Sequence, residues 1–71
     1  MTASEHAAAT YETYQILRTQ AKMTDSDVSR ASGVSRSTFT GWKAGRWSPK
    51  YATLKAIAEV LGVDPRLIME G

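Results

Sequence analysis

The stretch that decides the fold is TDSDVSRASGVSRSTFTGWKA, residues 24–44. Thr24 and Asp27 have the spacing of a capping box, in which each side chain accepts a hydrogen bond from the other residue's backbone amide at the start of a helix. Gly33 is placed to end that helix, because a helix commonly finishes on a left-handed residue. Ser35 can then cap a second helix. The segment therefore predicts two short helices joined by a tight turn.

The second of these helices is predicted to run from Ser35 to Ala44 and to stop at Gly45. Phe39 and Trp42 are three residues apart and should face the core. We expect the opposite, outward face to carry Ser37, Thr40, Gly41 and Ala44. Several of these residues are poor helix formers, which indicates either selection for function or a mere loss of helix propensity. A second helix that begins with small polar residues suits insertion into the major groove of DNA.

Three further helices are predicted around this pair. The first runs from about Thr10 to Lys22, with a buried stripe at Tyr14, Leu17 and Ala21. Residues 1–9 are expected to be a flexible segment, although the alanine run at 7–9 could extend the helix backward. The fourth spans roughly Tyr51–Leu61 and buries Leu54, Ile57, Ala58 and Leu61. Asp64 and Pro65 start the last helix, which continues through Met69, with Leu67 and Ile68 closing the core. The prediction is an all-α, compact five-helix bundle with a single domain over 10–71.

Composition narrows the class of protein. The chain has 71 residues, 42% of them hydrophobic, which suits one small globular domain. It has no cysteine, so disulfides and thiolate zinc sites are excluded, and a reducing, cytoplasmic setting is expected. We find no signal peptide, membrane span or phosphate-cradling glycine loop. His6 is the only histidine and no nucleophile is paired with a base, so we expect no metal, cofactor, small-molecule site or enzymatic activity.

The positive charge is concentrated on the helix pair and the loop that follows it. Residues 22–50 hold six basic and two acidic side chains, whereas the rest of the chain is net negative. A polyanionic partner would require such a distribution, although an accidental cluster on a solvated surface is equally compatible with the charges alone.

From about Tyr14 to Glu70 the chain resembles the phage-repressor, Cro-like helix-turn-helix family, also called the Xre family. The resemblance is carried by Leu17-Arg18, VSRASGVSRST (28–38), WKAGR (42–46), Pro49, LKAIA (54–58) with LGV (61–63), and the closing Leu67-Ile68. It implies a fold of the lambda-repressor-like type and a transcriptional regulator, most simply a repressor, that binds a double-stranded DNA operator as a homodimer. The resemblance is compatible with a protein encoded by a phage or a bacterium.

The chain departs from the family pattern at three positions. Asp25 stands where relatives often carry a Gln that helps to hold a phosphate, and Ser29 replaces the usual Ala. Lys43 stands where an acidic residue often pairs with the arginine of the first helix. Arg18 must therefore find another partner, such as a helix-end carbonyl or solvent.

The predicted contacts with DNA fall into two groups. Arg36, Ser37 and Thr40 are the expected base contacts, since an arginine can donate two hydrogen bonds to guanine and hydroxyl groups can contact several base edges. The expected phosphate contacts are Ser35, Thr38, Lys43, Arg46, Trp47 and Lys50. Trp47 is equally able to cover the fourth helix or to stack on the DNA backbone, and Gly41 is expected to leave its base unread.

The sequence is also compatible with a different class of protein. An antitoxin-like module could use the same fold to bind a protein partner through an exposed apolar patch, for which Tyr11, Ile16 and Met69 are candidates. A nonspecific architectural DNA binder would be expected to carry more positive charge than this chain does.

Overall fold

The computed structural model describes residues 2–70, and over that range the chain is all helical, with five helices and no strand. Their bounds are α1 Ala3–Gln20, α2 Asp25–Ser32, α3 Arg36–Lys43, α4 Tyr51–Leu61 and α5 Pro65–Met69. Helix α1 packs against α3 and α5, while α2 packs against α3 and α4, and α4 against α5. The predicted fold class is confirmed.

The start signals of α2 and α3 act as the sequence predicts. The Thr24 hydroxyl accepts from the Asp27 amide at 3.1 Å, and the Asp27 carboxylate accepts from the Thr24 amide at 2.9 Å. This second hydrogen bond is the main reason that the pKa of Asp27 is lowered. Gly33 ends α2 with φ of 77°, in the left-handed region that other residues adopt only with strain. Ser35 caps α3 by accepting from the Ser37 amide.

Helix α1 begins much earlier than the sequence analysis placed it. The prediction that residues 1–9 are flexible is wrong for residues 2–9, because the helix starts at Ala3 and Ala7 is buried; Met1 lies outside the described residues. Thr2 caps this helix by accepting from the Glu5 amide at 3.1 Å. The domain boundary predicted at residue 10 therefore falls inside a packed helix.

The core is formed by one or more side chains from each helix. Its buried apolar members are Ala7, Tyr11, Tyr14, Val28, Phe39, Trp42, Leu54, Ile57, Ala58 and Ile68. Leu17 and Leu61 pack against this cluster from its edge, whereas Ala21 is exposed at the end of α1, contrary to the predicted stripe.

The last helix buries only one of the two residues predicted to close the core. Ile68 is fully buried but Leu67 is 52% exposed. Adjacent side chains on a helix point about 100° apart, so with Ile68 directed into the core Leu67 is directed towards the edge of the helix face. The prediction for Leu67 is therefore wrong.

Candidate nucleic-acid interface

Aromatic packing fixes the orientation of α3. The ring of Tyr14 on α1 lies 5.5 Å from that of Phe39 and 4.9 Å from that of Trp42, measured between centroids. Tyr11 meets Trp42 edge-on at 5.3 Å. The Trp42 indole N–H donates to the buried Thr10 hydroxyl at 3.0 Å. With these contacts on one side, α3 cannot rotate without breaking the core, and its other side is held toward solvent.

The three predicted base contacts lie together on that outer side. Arg36, Ser37 and Thr40 are all exposed in the first turn and a half of α3. The Ser37 hydroxyl lies 2.8 Å from that of Ser35, and the Thr40 hydroxyl donates to the Arg36 carbonyl at 3.3 Å. A hydroxyl group can donate once and accept twice, so both retain capacity for a further hydrogen bond. The surface can therefore present a guanidinium and two hydroxyl groups to one ligand.

Exposed basic side chains follow this face in the chain. Lys43 at the end of α3, Arg46 in the following loop and Lys50 before α4 are exposed. The ion pairs found over residues 2–70 involve other cations, namely Arg18, Arg30 and Arg66. The charges on Arg36, Lys43, Arg46 and Lys50 are thus available to an external anion.

The two remaining polar phosphate candidates differ in exposure. Ser35 is exposed at the N-terminus of α3, whereas Thr38 is half-buried. The backbone amide of Thr38 donates to the Ser35 carbonyl at 3.0 Å, within the first turn. Contact of either residue with phosphate stays a prediction.

Gly41 lies on the outward side of α3, as predicted, but it is not exposed to solvent there. Gly41 is buried, and the indole ring of Trp47 covers it so closely that a Cβ atom at position 41 would overlap the ring. The Trp47 indole N–H donates to the Thr38 carbonyl at 3.3 Å. The ring therefore lies on α3, and contact of Trp47 with the DNA backbone stays a prediction. A glycine is required here because the ring occupies the place of its side chain.

The carboxylate of Asp25 ties the start of α2 to α1. It accepts hydrogen bonds from the hydroxyl groups of Tyr14 at 2.7 Å and Tyr11 at 3.0 Å. The Nε atom of Arg18 lies 3.1 Å from the same carboxylate, close enough for an ion pair but without a hydrogen bond, while its Nη1 donates to the Met23 carbonyl. We name Tyr11, Tyr14, Arg18 and Asp25 the Asp25 cluster. Asp25 is thus the acidic partner of Arg18 in a chain that has Lys43 at the usual acidic position, and the Met23 carbonyl is a second partner.

The Asp25 cluster shifts the acid–base behaviour of both tyrosines. Burial is the main cause and the hydrogen bond to Asp25 the next, and together they raise the pKa of Tyr11 to about 12. The same two causes raise the pKa of Tyr14 further still. Both hydroxyl groups therefore remain protonated donors well above neutral pH. Ionisation of the tyrosines does not weaken their hydrogen bonds to Asp25 near neutral pH.

Among residues 2–70 there is no group of three or more side chains that could hold a metal ion, and no pocket. None of the five helices combines the length and apolar character needed to cross a bilayer.

A short tight turn between α2 and α3, with α3 held so that its polar side faces outward, defines a helix-turn-helix protein. A family model described as a helix-turn-helix domain matches residues 15–70, and the chain belongs to this family. Domains of this architecture bind DNA. The comparisons with curated proteins and with solved structures gave no match.

The matched segment leaves out the part of α1 that holds α3 in place. Thr10, Tyr11 and Tyr14, which contact Trp42 or Asp25, all precede residue 15. Sequence reasoning missed the Asp25 cluster, although one signal was present. Tyr11, Tyr14 and Arg18 follow each other at spacings of three and four residues, which places their side chains on one face of a helix.

Proposed function

We propose that the protein is a sequence-specific regulator of transcription that binds double-stranded DNA with α3 in the major groove. The observation that carries this proposal is the outer face of α3, where Arg36, Ser37 and Thr40 stand exposed on a helix whose opposite face is locked into the core. A rigid helix with free hydrogen-bonding groups at its N-terminal end is what direct readout of base edges requires.

In this arrangement some side chains contact base edges and others contact phosphates. Arg36 donates to a guanine, and the hydroxyl groups of Ser37 and Thr40 contact neighbouring base edges. Lys43, Arg46 and Lys50 neutralise phosphates on either side of the groove, which adds affinity that falls with salt but carries no sequence information.

We infer that the working form is a homodimer on a two-fold operator, because one recognition helix contacts only a few base pairs. We further infer a repressor. Occupation of a site is sufficient to exclude another protein from the same base pairs, whereas activation needs an additional contact. We propose no catalytic role.

The test is selection of bound duplexes from a randomised DNA library, followed by binding measurements on the selected and on random duplexes over a range of salt concentrations. We expect the selected duplex to bind at least about a thousandfold more tightly at physiological salt. Equal affinity for both would indicate an architectural DNA binder and would overturn the proposal of sequence-specific regulation.

One observation favours a second candidate, a module that binds a protein partner. Ile16, Tyr51, Leu67 and Met69 are large apolar side chains with substantial exposure. Tyr11, which had been a candidate member of this patch, is buried and does not contribute. Absence of binding to any duplex, selected or random, would favour this alternative.

A further inference from the structure

The recognition face of α3 contains one aromatic surface that α3 does not itself supply. Gly41 lies at the middle of the outward side, one turn after Ser37 and three residues before Ala44. The place where its side chain would be is taken by the indole ring of Trp47, which reaches back from the loop after α3. The Trp47 residue is 46% exposed, so it contacts the helix and remains accessible to a ligand.

The ring is held in this position by its own contacts and by the loop that carries it. Its N–H donates to the Thr38 carbonyl. In the adjoining backbone, the Gly45 amide donates to the Trp42 carbonyl at 3.0 Å and the Arg46 amide to the Gly41 carbonyl at 2.9 Å. The loop is thus folded onto α3, and a ligand that meets the ring does not have to order it first.

The chemistry of the exposed part of the ring is apolar. A tryptophan side chain has a single polar atom, the indole nitrogen, and here that donor already has an acceptor. The ring therefore offers aromatic carbon to the ligand, next to hydroxyl groups on Ser37 and Thr40. A phosphate oxygen would gain little from such a surface, since it needs a donor or a cation.

In the major groove the apolar group on the base edges is the 5-methyl group of thymine. We propose that Trp47 is a specificity-determining residue that packs against a thymine methyl group, beside the base pairs that Ser37 and Thr40 face. This inference rests on the proposed function. It gives position 41 a role in base recognition through a side chain that comes from the loop.

The test uses the duplex obtained by selection from the random library. Each thymine is replaced in turn by uracil, which removes the methyl group and nothing else. For the unchanged protein we expect one thymine position in each half-site to be sensitive. Replacement of that single thymine in one half-site should weaken binding about fourfold, the effect of one buried methyl group. The Trp47→Ala variant should bind the thymine and uracil duplexes with equal affinity.

Two further variants separate the possible causes. Gly41→Ala keeps the tryptophan but adds a Cβ atom that must displace the ring, so it should also lose the sensitivity to uracil. Lys50→Ala is the matched control, because it removes an expected phosphate contact and should leave that sensitivity unchanged. Circular dichroism and thermal denaturation establish that each variant is folded.

Any of three results would overturn the proposal. No uracil replacement weakens binding, or the Trp47→Ala variant is still weakened by the same uracil replacement as the unchanged protein. The third is a selected site with no fixed A·T pair next to the bases that Ser37 and Thr40 contact. In each of these cases the unchanged protein still prefers the selected duplex, so the proposed function stands and the role of Trp47 fails. If the unchanged protein shows no preference for the selected duplex, the proposed function fails first, and with it this inference.

Discussion

Replacing Asp25 with alanine should destabilise the domain more than its position on the surface of a short helix suggests. The carboxylate is the common acceptor for two tyrosine hydroxyl groups on α1, at 2.7 and 3.0 Å, and it lies 3.1 Å from Arg18 Nε. Alanine removes all of these interactions together. The hydrogen bond from Arg18 to the Met23 carbonyl, just before α2, would remain.

The size of the effect follows from burial. Tyr14 is fully buried, so its hydroxyl group becomes a donor without a partner, which costs about 1–3 kcal/mol. The Asp25 side chain is 33% exposed, so the ion pair with Arg18 adds at most about 1 kcal/mol, and water can partly solvate the Tyr11 hydroxyl. We therefore expect a loss of about 2–3 kcal/mol, and a fall in melting temperature of roughly 10–20 °C for a domain of this size.

The assay is urea denaturation followed by far-ultraviolet circular dichroism, on a double-mutant cycle. Tyr14→Phe alone should cost about 1 kcal/mol, and Asp25→Ala should cost less in the Tyr14→Phe background than in the original protein. Asp25→Asn keeps an acceptor oxygen and should recover part of the loss. The reasoning is refuted if Asp25→Ala costs less than about 0.5 kcal/mol, or if its cost is the same in both backgrounds.

Three further predictions concern the core, the charges and the tyrosines. Trp42→Ala should reduce the free energy of unfolding by about 3–5 kcal/mol, because it removes a fully buried ring and leaves Thr10 without its donor; near-normal denaturation would contradict the packing of α3. Lys50→Ala should weaken binding to all duplexes and reduce the slope of log affinity against log salt by about one, and an unchanged slope would remove Lys50 from the interface. Folding favours protonated Tyr11, whose pKa rises from 10.0 to about 12, so this contribution to stability is complete below pH 10.0 and is lost as the pH rises to about 12. Urea denaturation across that range should show the loss, and Tyr11→Phe should diminish it; an identical alkaline loss in Tyr11→Phe would exclude this residue as its source.

The parts of the fold that could be predicted depend on signals within a few residues. The capping box at Thr24, the turn at Gly33 and the Asp64-Pro65 start of α5 each act over one turn of helix, and the structure has all of them. The start of α1 had a signal of the same kind. Thr2 and Glu5 have the spacing of a capping residue and its third helical position, and the Thr2 hydroxyl does cap the helix.

The parts that could not be predicted depend on residues far apart in the chain. From the sequence, Gly41 is expected to be exposed on the outward face of α3. The Trp47 ring contacts it only in the folded chain, and no local sequence pattern predicts that contact. Asp25 likewise looks like a favourable charge at a helix N-terminus. Its contacts with Tyr11 and Tyr14 exist only because the fold brings the first residue of α2 next to α1.

In the proposed function, the exposed face of α3 distinguishes one DNA sequence from another. The most direct measurement compares the affinities of the original protein and of a triple variant, Arg36→Ala with Ser37→Ala and Thr40→Ala, for the selected duplex and for random DNA. We predict that the triple variant remains folded, retains weak salt-sensitive binding through its lysines, and binds both duplexes alike. A triple variant that still prefers the selected duplex as strongly as the original protein would contradict the claim.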